Sequence, residues 1–337
     1  MAKKLSRKQA LLLTGAGVLV LALAGGGTAL ALNVNRSPAL ETQQAAAAQP
    51  FDLNASNAAS RPRLEQVPEA VAQLKASGFT PAVPGKLTVA TAVAAPPLTF
   101  LAADDNTTVL GVEADQAQLV ADGLGLELNL VTVSWADWPL GLQSGKYDIV
   151  SSNVTVTDER KKLFDFASTR EDLLGFLVAK DSKLESIKEA TDVSGLKLSV
   201  SSGTNQEKVL LQWNKELKAA GKEPAELVYY DDFAAASLAI SSGRIDGFLS
   251  PNPTAQYQVQ STGQFKVVGT IQGGWPATAP IAIGTAKGNG LIKPVNTVVN
   301  AAIKQGSYGK LLTRWGLGAE ALKRSTINPE GIPATVG

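Results

Sequence analysis

Histidine and cysteine are absent from this 337-residue chain, and methionine occurs once. Without a thiol or an imidazole there are no Ser/His or Cys/His catalytic pairs, no disulfides, and no zinc or iron–sulfur sites built from those ligands. A metal could be held only through oxygen, and no run of regularly spaced acids and glycine resembles a calcium loop. No metal and no cofactor is therefore expected. An excess of charge of either sign is missing too, since 31 Lys and Arg face 30 Asp and Glu. Lys and Arg are not clustered among aromatics, so no nucleic acid is expected as a partner. What is present is apolar and glycine-rich: 45% hydrophobic residues and 31 glycines, enough for two ordinary domains.

Residues 1–32 carry Lys3, Lys4, Arg7 and Lys8, then an apolar run over 11–24, then three glycines and Ala29-Leu30-Ala31. This is the layout of an export signal, with a cleavage site after Ala31. The apolar stretch also continues weakly to Leu32, 22 residues from Leu11, which is long enough for an uncleaved membrane anchor. Cleavage would leave 27 basic against 30 acidic residues, a formal charge of −3. With no cysteine, the chain carries no lipid anchor. Residues 33–62, rich in Ala, Gln, Asn and Ser, read as a disordered linker, and 63–83 as an N-terminal helical extension with its helix over 67–77.

From residue 86 onward strands and helices alternate, which predicts α/β sheets with crossover helices. Strands are expected near 86–91, 125–132, 147–151, 173–179, 196–200, 225–230, 245–249, 265–270 and 279–284. Helices are expected near 114–124, 136–144, 157–163, 204–220, 232–242, 252–260, 288–305 and 307–316. One internal echo stands out. Ser144-Gly145-Lys146-Tyr147-Asp148 recurs as Ser242-Gly243-Arg244-Ile245-Asp246, each after an apolar helix and a strand that begins Glu-Leu. Glycine there supplies a left-handed helix cap and the next strand starts at once, so two similar α/β units are expected.

Just beyond the first copy, Asn153, Thr155 and Arg160 follow the C-terminal end of a short strand, where open α/β sheets bind small ligands. Hydroxyls, backbone amides and a guanidinium fork together suit a carboxylate. Holding one requires no proton transfer, so the segment points to binding before catalysis.

Several motifs in this order resemble the extracytoplasmic solute-binding proteins of ABC importers, in particular the polar amino-acid-binding family, over about residues 84–318. They are Ala95-Pro96-Pro97-Leu98-Thr99-Phe100, Gly111-Val112-Glu113-Ala114-Asp115, the first copy of the echo, and Thr155-Val156-Thr157-Asp158-Glu159-Arg160. Phe164-Asp165-Phe166-Ala167, Ser202-Gly203-Thr204-Asn205-Gln206-Glu207, the second copy, and the run from Gly306 to Trp315 complete the set. The resemblance implies an α/β, two-lobed, type II periplasmic-binding-protein fold, each lobe a sheet flanked by helices, with two hinge crossings. Lobe 1 would comprise 84–175 and 280–320, lobe 2 180–274, with crossings near 173–179 and 276–283 and a C-terminal tail over 321–337 packed loosely on lobe 1.

By the same resemblance, Arg160 grips a ligand carboxylate, Asn153 and Thr155 complete its cradle, and Trp135 covers the ligand's apolar surface, while Trp138 belongs to the core. From lobe 2, Gly203, Thr204 and Asn205 aim helix N-terminal amides at an anion. Three positions depart from the family pattern: Ala95 in place of an aromatic, Ala92 in place of an acid, and Pro251 in place of the aspartate that pairs with an α-ammonium. Ser250 and Asn252 are the polar neighbours left, with Asp104, Glu171 and Asp172 as other acids that could enter the cleft.

The reading is a monomeric receptor, periplasmic or at the cell surface, that delivers a small carboxylate or amino acid to an ABC permease. Two alternatives stand beside it. An exported dehydratase on the same fold would need a carboxyl, amine or phenol as its acid or base, with Glu171 the nominee. A sensor anchored by the N-terminal helix would pass its signal through another chain.

Overall fold

The computed structural model describes residues 51–230 and 232–333. The export segment, with its cleaved and anchored alternatives, and the linker as far as residue 50 lie outside the described residues. In chain order the strands are β1 (Lys86–Ala92), β2 (Phe100–Leu101), β3 (Val109–Leu110), β4 (Glu127–Val133), β5 (Ile149–Thr155) and β6 (Phe164–Glu171). They continue with β7 (Leu173–Ala179), β8 (Lys197–Val200), β9 (Glu226–Tyr229), β10 (Gly247–Pro251), β11 (Phe265–Gln272) and β12 (Pro280–Ala286). The helices are α1 (Pro68–Ala76), α2 (Val112–Leu124), α3 (Trp138–Gln143), α4 (Asp158–Lys161) and α5 (Asn205–Ala219). Then come α6 (Phe233–Ser241), α7 (Asn252–Thr262), α8 (Ile292–Gln305) and α9 (Ser307–Arg314).

These strands form two five-stranded sheets of matching topology, β4-β1-β5-β12-β6 and β9-β8-β10-β7-β11. In each, the first three strands run parallel, and the fourth runs antiparallel to its neighbours on both sides. The fourth strand of each arrives from the other half of the chain. The sequence echo has a mechanical basis. Gly145 (φ 74°) and Gly243 (φ 68°) turn the chain in the left-handed region, and the aspartate three residues on ties the next strand to the first. Asp148 donates its amide to the Thr88 carbonyl at 2.8 Å, and its carboxylate accepts from Thr88 N at 2.7 Å. Asp246 does the same with Lys197, at 2.8 and 2.7 Å.

Apolar helix faces cover the sheets. In lobe 1, α2, α8 and α9 bury Val120, Val298 and Leu311, together with Trp315 at the end of α9, against Leu87, Val89 and Ile149. In lobe 2, α5 sets Trp213 on Phe176, rings stacked 5.5 Å apart. At about 25 cal/mol per Å² of apolar surface, such aromatics dominate the packing energy.

Four expectations need correction. First, the chain crosses between lobes at Asp172, because β7 pairs along its whole length with β11 and over Leu174–Leu177 with β10, so residues 173–175 belong to lobe 2. The return crossing falls at 273–279, before β12 joins the first sheet. Second, residues 51–62 are no loose linker: Arg61 pairs with buried Asp115 at 3.0 Å, and the Phe51 ring lies 5.4 Å from Trp315 and 5.9 Å from Tyr257. Third, the described part of the tail is fastened rather than loose. Ile332 is buried and bridges Thr157, Ile327 bridges Ala167, and Asn328 donates its amide to the Phe166 carbonyl at 2.8 Å. Fourth, strand β6, absent from the sequence-based expectations, is almost wholly buried although five of its eight residues are polar. Its Asp165 and Ser168 are satisfied by Gly288, Asn328 and Thr326 from distant segments, partners that a local reading cannot see. Among the described residues, no helix is long and apolar enough to cross a membrane.

Candidate functional site

The C-terminal ends of both sheets open on a cleft of about 930 Å³ between the lobes. From lobe 1, Trp135, Asn153 and Arg160 line it, and from lobe 2, Gly203, Thr204, Asn205 and Ser250. Seven of the nine predicted residues thus share one wall or the other. Thr155 and Asn252 do not line it.

Arg160 is placed by the short helix α4, whose cap Thr157 accepts the Arg160 amide at 3.1 Å. Its guanidinium lies 5.4 Å from the Trp135 ring centroid and 5.9 Å from that of Trp138, a stacking that arginine tolerates because its planar cation is weakly hydrated. One nitrogen donates to the Thr155 carbonyl at 2.7 Å and another reaches the Gly203 carbonyl of lobe 2 at 3.1 Å. Burial pushes the group down to about 10, against the pull of Asp172 and Glu159, so it remains a cation at neutral pH. The guanidinium therefore touches both lobes and fixes a positive charge where they meet.

Beneath it lies a buried ionic layer. Arg170, 1% exposed, donates to Glu320 at 2.7 Å and to Glu113 at 2.9 Å, and also to the Asn153 side chain. Asn153 itself sits at φ 51°, a left-handed conformation that asparagine enters more readily than most residues. The chain turns there as β5 reaches the cleft, and the side chain is pinned by the arginine below. Burial pushes Glu320 up to about 7 despite Arg170, and the two carboxylates hold the Arg170 proton more tightly than usual.

Thr155 takes a different place from the one predicted. Its hydroxyl donates to the buried carboxylate of Asp172 at 2.6 Å, which also accepts from Asn205 Nδ2 at 2.9 Å. Asp172 thereby ties lobe 1 to lobe 2 at the crossing itself. Burial pushes its carboxyl up to about 6, opposed by Thr155, Arg170 and Arg160. On the facing wall, Thr204 caps α5 by accepting Glu207 N at 3.2 Å, and the Gly203 amide is already taken by the Glu207 carboxylate at 2.6 Å. The helix start expected to cradle an anion is thus partly filled by the chain's own acid.

Trp138 is 2% exposed and packs 5.0 Å from Phe164, yet its edge also lines the cleft. Ala92, Ala95 and Pro251 line it as well, so the three departures from the family pattern all face the ligand space. Of the acids nominated to replace them, Asp104 accepts a bond from Ala55 N far from the cleft, Asp172 lies below it, and Glu171 is not in its lining. Sequence reading missed Gln206, Thr254, Asp232, Phe233 and Phe248. Gln206 directly follows the Gly203-Thr204-Asn205 motif and was within its reach. The others depend on how α6 and α7 fall against β10.

With this geometry in hand, known proteins give the chain a place. Residues 87–318 match the bacterial extracellular solute-binding proteins, family 3. The L-cystine-binding protein TcyJ of Escherichia coli strain K12 is 31% identical over 230 residues, covering 68% of this chain and 81% of TcyJ. Among solved structures, an ancestral arginine-binding protein bound to arginine is 30% identical with a TM-score of 0.60, covering 68% of this chain and 98% of that one. The ancestral amino acid-binding protein AncCDT-1, a precursor of cyclohexadienyl dehydratase, is 27% identical with a TM-score of 0.60, covering 73% of this chain and 98% of its own. The two sheets and their two crossings make a type II periplasmic-binding-protein fold, and this chain belongs to the bacterial extracellular solute-binding proteins, family 3.

Proposed function

We propose that this receptor captures a small, amino-acid-like carboxylate between its lobes and hands it to an ABC permease, with Arg160 holding the carboxylate. The observation that carries this reading is the Arg160 guanidinium, stacked on Trp135 and bonded to both lobes at the cleft. A planar cation fixed there offers a bidentate partner to an entering carboxylate. The named relatives bind cystine and arginine, both of which carry a carboxylate. Trp135 is the surface on which the ligand's apolar body rests, and Asn153 and Asn205 flank it.

The protein is proposed to be exported and to work as a monomer outside the cytoplasm, without nucleic acid or cofactor. We read it as a binder rather than an enzyme, because the acids lining the cleft are already committed. Glu159 pairs with Lys208 across the lobes, and the Asp232 carboxylate caps α6 by accepting Ala235 N at 2.7 Å. Calorimetric titration of the ligand-stripped protein with amino acids and small organic acids tests the proposal. At least one should bind at micromolar concentration or below. A folded, ligand-free protein that takes up none of them would end the receptor reading.

A further inference from the structure

Two carboxylates line the cleft, Glu159 and Asp232. Glu159 is paired with Lys208 across the lobes, whereas Asp232 is exposed and, among the described residues, meets no basic side chain. Its Oδ1 accepts Ala235 N at 2.7 Å and so caps α6, and among the described residues the second oxygen has no partner. The helix end that it caps offsets only about half a unit charge. A net negative charge therefore stands on the lobe 2 wall.

Asp232 and Phe233 line both the cleft and a side cavity of about 450 Å³ that opens beside it. Lobe 1 walls this cavity with Ala94, Ala95 and Pro96, short side chains that leave it room, and Ala95 stands where the family pattern has an aromatic. Arg160, Trp135 and Gly203 line the cleft but not the cavity, so the acid and the guanidinium belong to different parts of the ligand space. Phe233 packs 5.2 Å from Phe248, which also lines the cleft. Aromatic rings beside a carboxylate suit an organic cation, whose alkyl stem rests on the ring while its charged head meets the oxygen. Ser250 and Pro251, where the family pattern has its ammonium partner, carry no charge. The charge on offer lies at the side cavity instead.

We infer that Asp232 anchors the far end of the ligand, so the favoured ligand is a carboxylate that carries an ammonium or guanidinium at the other end of a flexible chain. The carboxylate sits at Arg160, the chain passes Phe233, and the cation reaches the free Asp232 oxygen at the mouth of the side cavity. A charge-assisted hydrogen bond there gives the ligand a second fixed point, on the opposite lobe from the first. A cation placed only next to the carboxylate gains nothing from Asp232. The inference rests on the receptor reading, with Arg160 holding the carboxylate.

The test is calorimetric titration of the ligand-stripped protein with pairs of probes that differ in charge only at the far end. L-lysine is set beside L-norleucine, L-arginine beside L-citrulline, and ε-aminocaproate beside caproate. In at least one pair the cationic member should bind about fivefold tighter or more, the upper end for an exposed ion pair. Asp232→Asn, which keeps the helix cap, should bring that ratio below about twofold while the melting temperature stays level. A ratio that stays above twofold in Asp232→Asn would place the cation elsewhere, and a ratio under fivefold in every pair would mean that no far cation is read. Either result overturns the inference and leaves the receptor intact. Failure of every probe to bind at millimolar concentration also overturns it, and the wider panel of amino acids and organic acids then decides the receptor reading separately.

Discussion

The two lobes share a strand order, a helix cap and even the aspartate that stitches their first strands, yet they present opposite chemistries to the cleft. Beneath the β5 end of lobe 1 lies a packed ionic layer of Arg170, Glu113 and Glu320, with Arg160 above it. At the corresponding β10 end, lobe 2 offers Ser250, Pro251 and an uncharged helix. Topology therefore sets where a ligand sits, and the residues at each strand end decide which part of it is held. The lobes differ on their outer faces too. Lobe 1 is wrapped by α1, residues 51–62 and the C-terminal segment, and Asp148 also accepts a bond from Ala82 in the loop between α1 and β1, whereas Asp246 in lobe 2 is exposed.

The contrast can be broken most severely from below. Arg170→Met should destabilise the fold by about 3–5 kcal/mol, because it strands two buried carboxylates, and a denaturant melt would register the loss. A drop under 1 kcal/mol would mean that the ionic layer is not under strain of this kind. Arg160→Met should leave the melt nearly unchanged but weaken carboxylate binding a hundredfold or more, about 3 kcal/mol, by calorimetry. Pro251→Asp would make the lobes more alike. Aspartate is a good cap for α7 and would supply the missing counter-charge, so zwitterion affinity should rise about tenfold in a titration against L-glutamine.

The smallest effect is on pH. With its carboxyl raised from 3.8 to about 6, Asp172 takes up a proton in the fold at a pH where the unfolded chain has lost it. Its contribution to stability therefore increases as pH falls through that window. Neutralising it also removes an anion near Arg160, so carboxylate binding should tighten a few fold between pH 7 and pH 5. Asp172→Asn should flatten that profile, and an unaltered slope would assign the dependence to another group.

Most elements were legible because apolar periodicity and glycine caps are local signals. Strand β6 was not, since Asp165 and Ser168 look exposed until residues from 288 and 326 arrive to bond them. Phe51 and Arg61 were hidden for a similar reason: a composition typical of linkers says nothing of the Trp315 and Asp115 waiting for them. At the site, Arg160 and Gly203 could be read from short motifs. Thr155 could not be placed, because choosing between a ligand and Asp172 requires knowing where the chain crosses. Thr254 joins the cleft lining only because α7 packs beside β10, a property of the assembled wall.

The aromatic wedge at Phe51 has an optical consequence. Phe51 stands between Trp315 of lobe 1 and Tyr257 of lobe 2, so a rotation of one lobe against the other must slide one of those faces. In a variant freed of the other four tryptophans, Trp135 of the cleft among them, the Trp315 indole's emission is therefore a gauge of lobe angle that lies clear of the ligand.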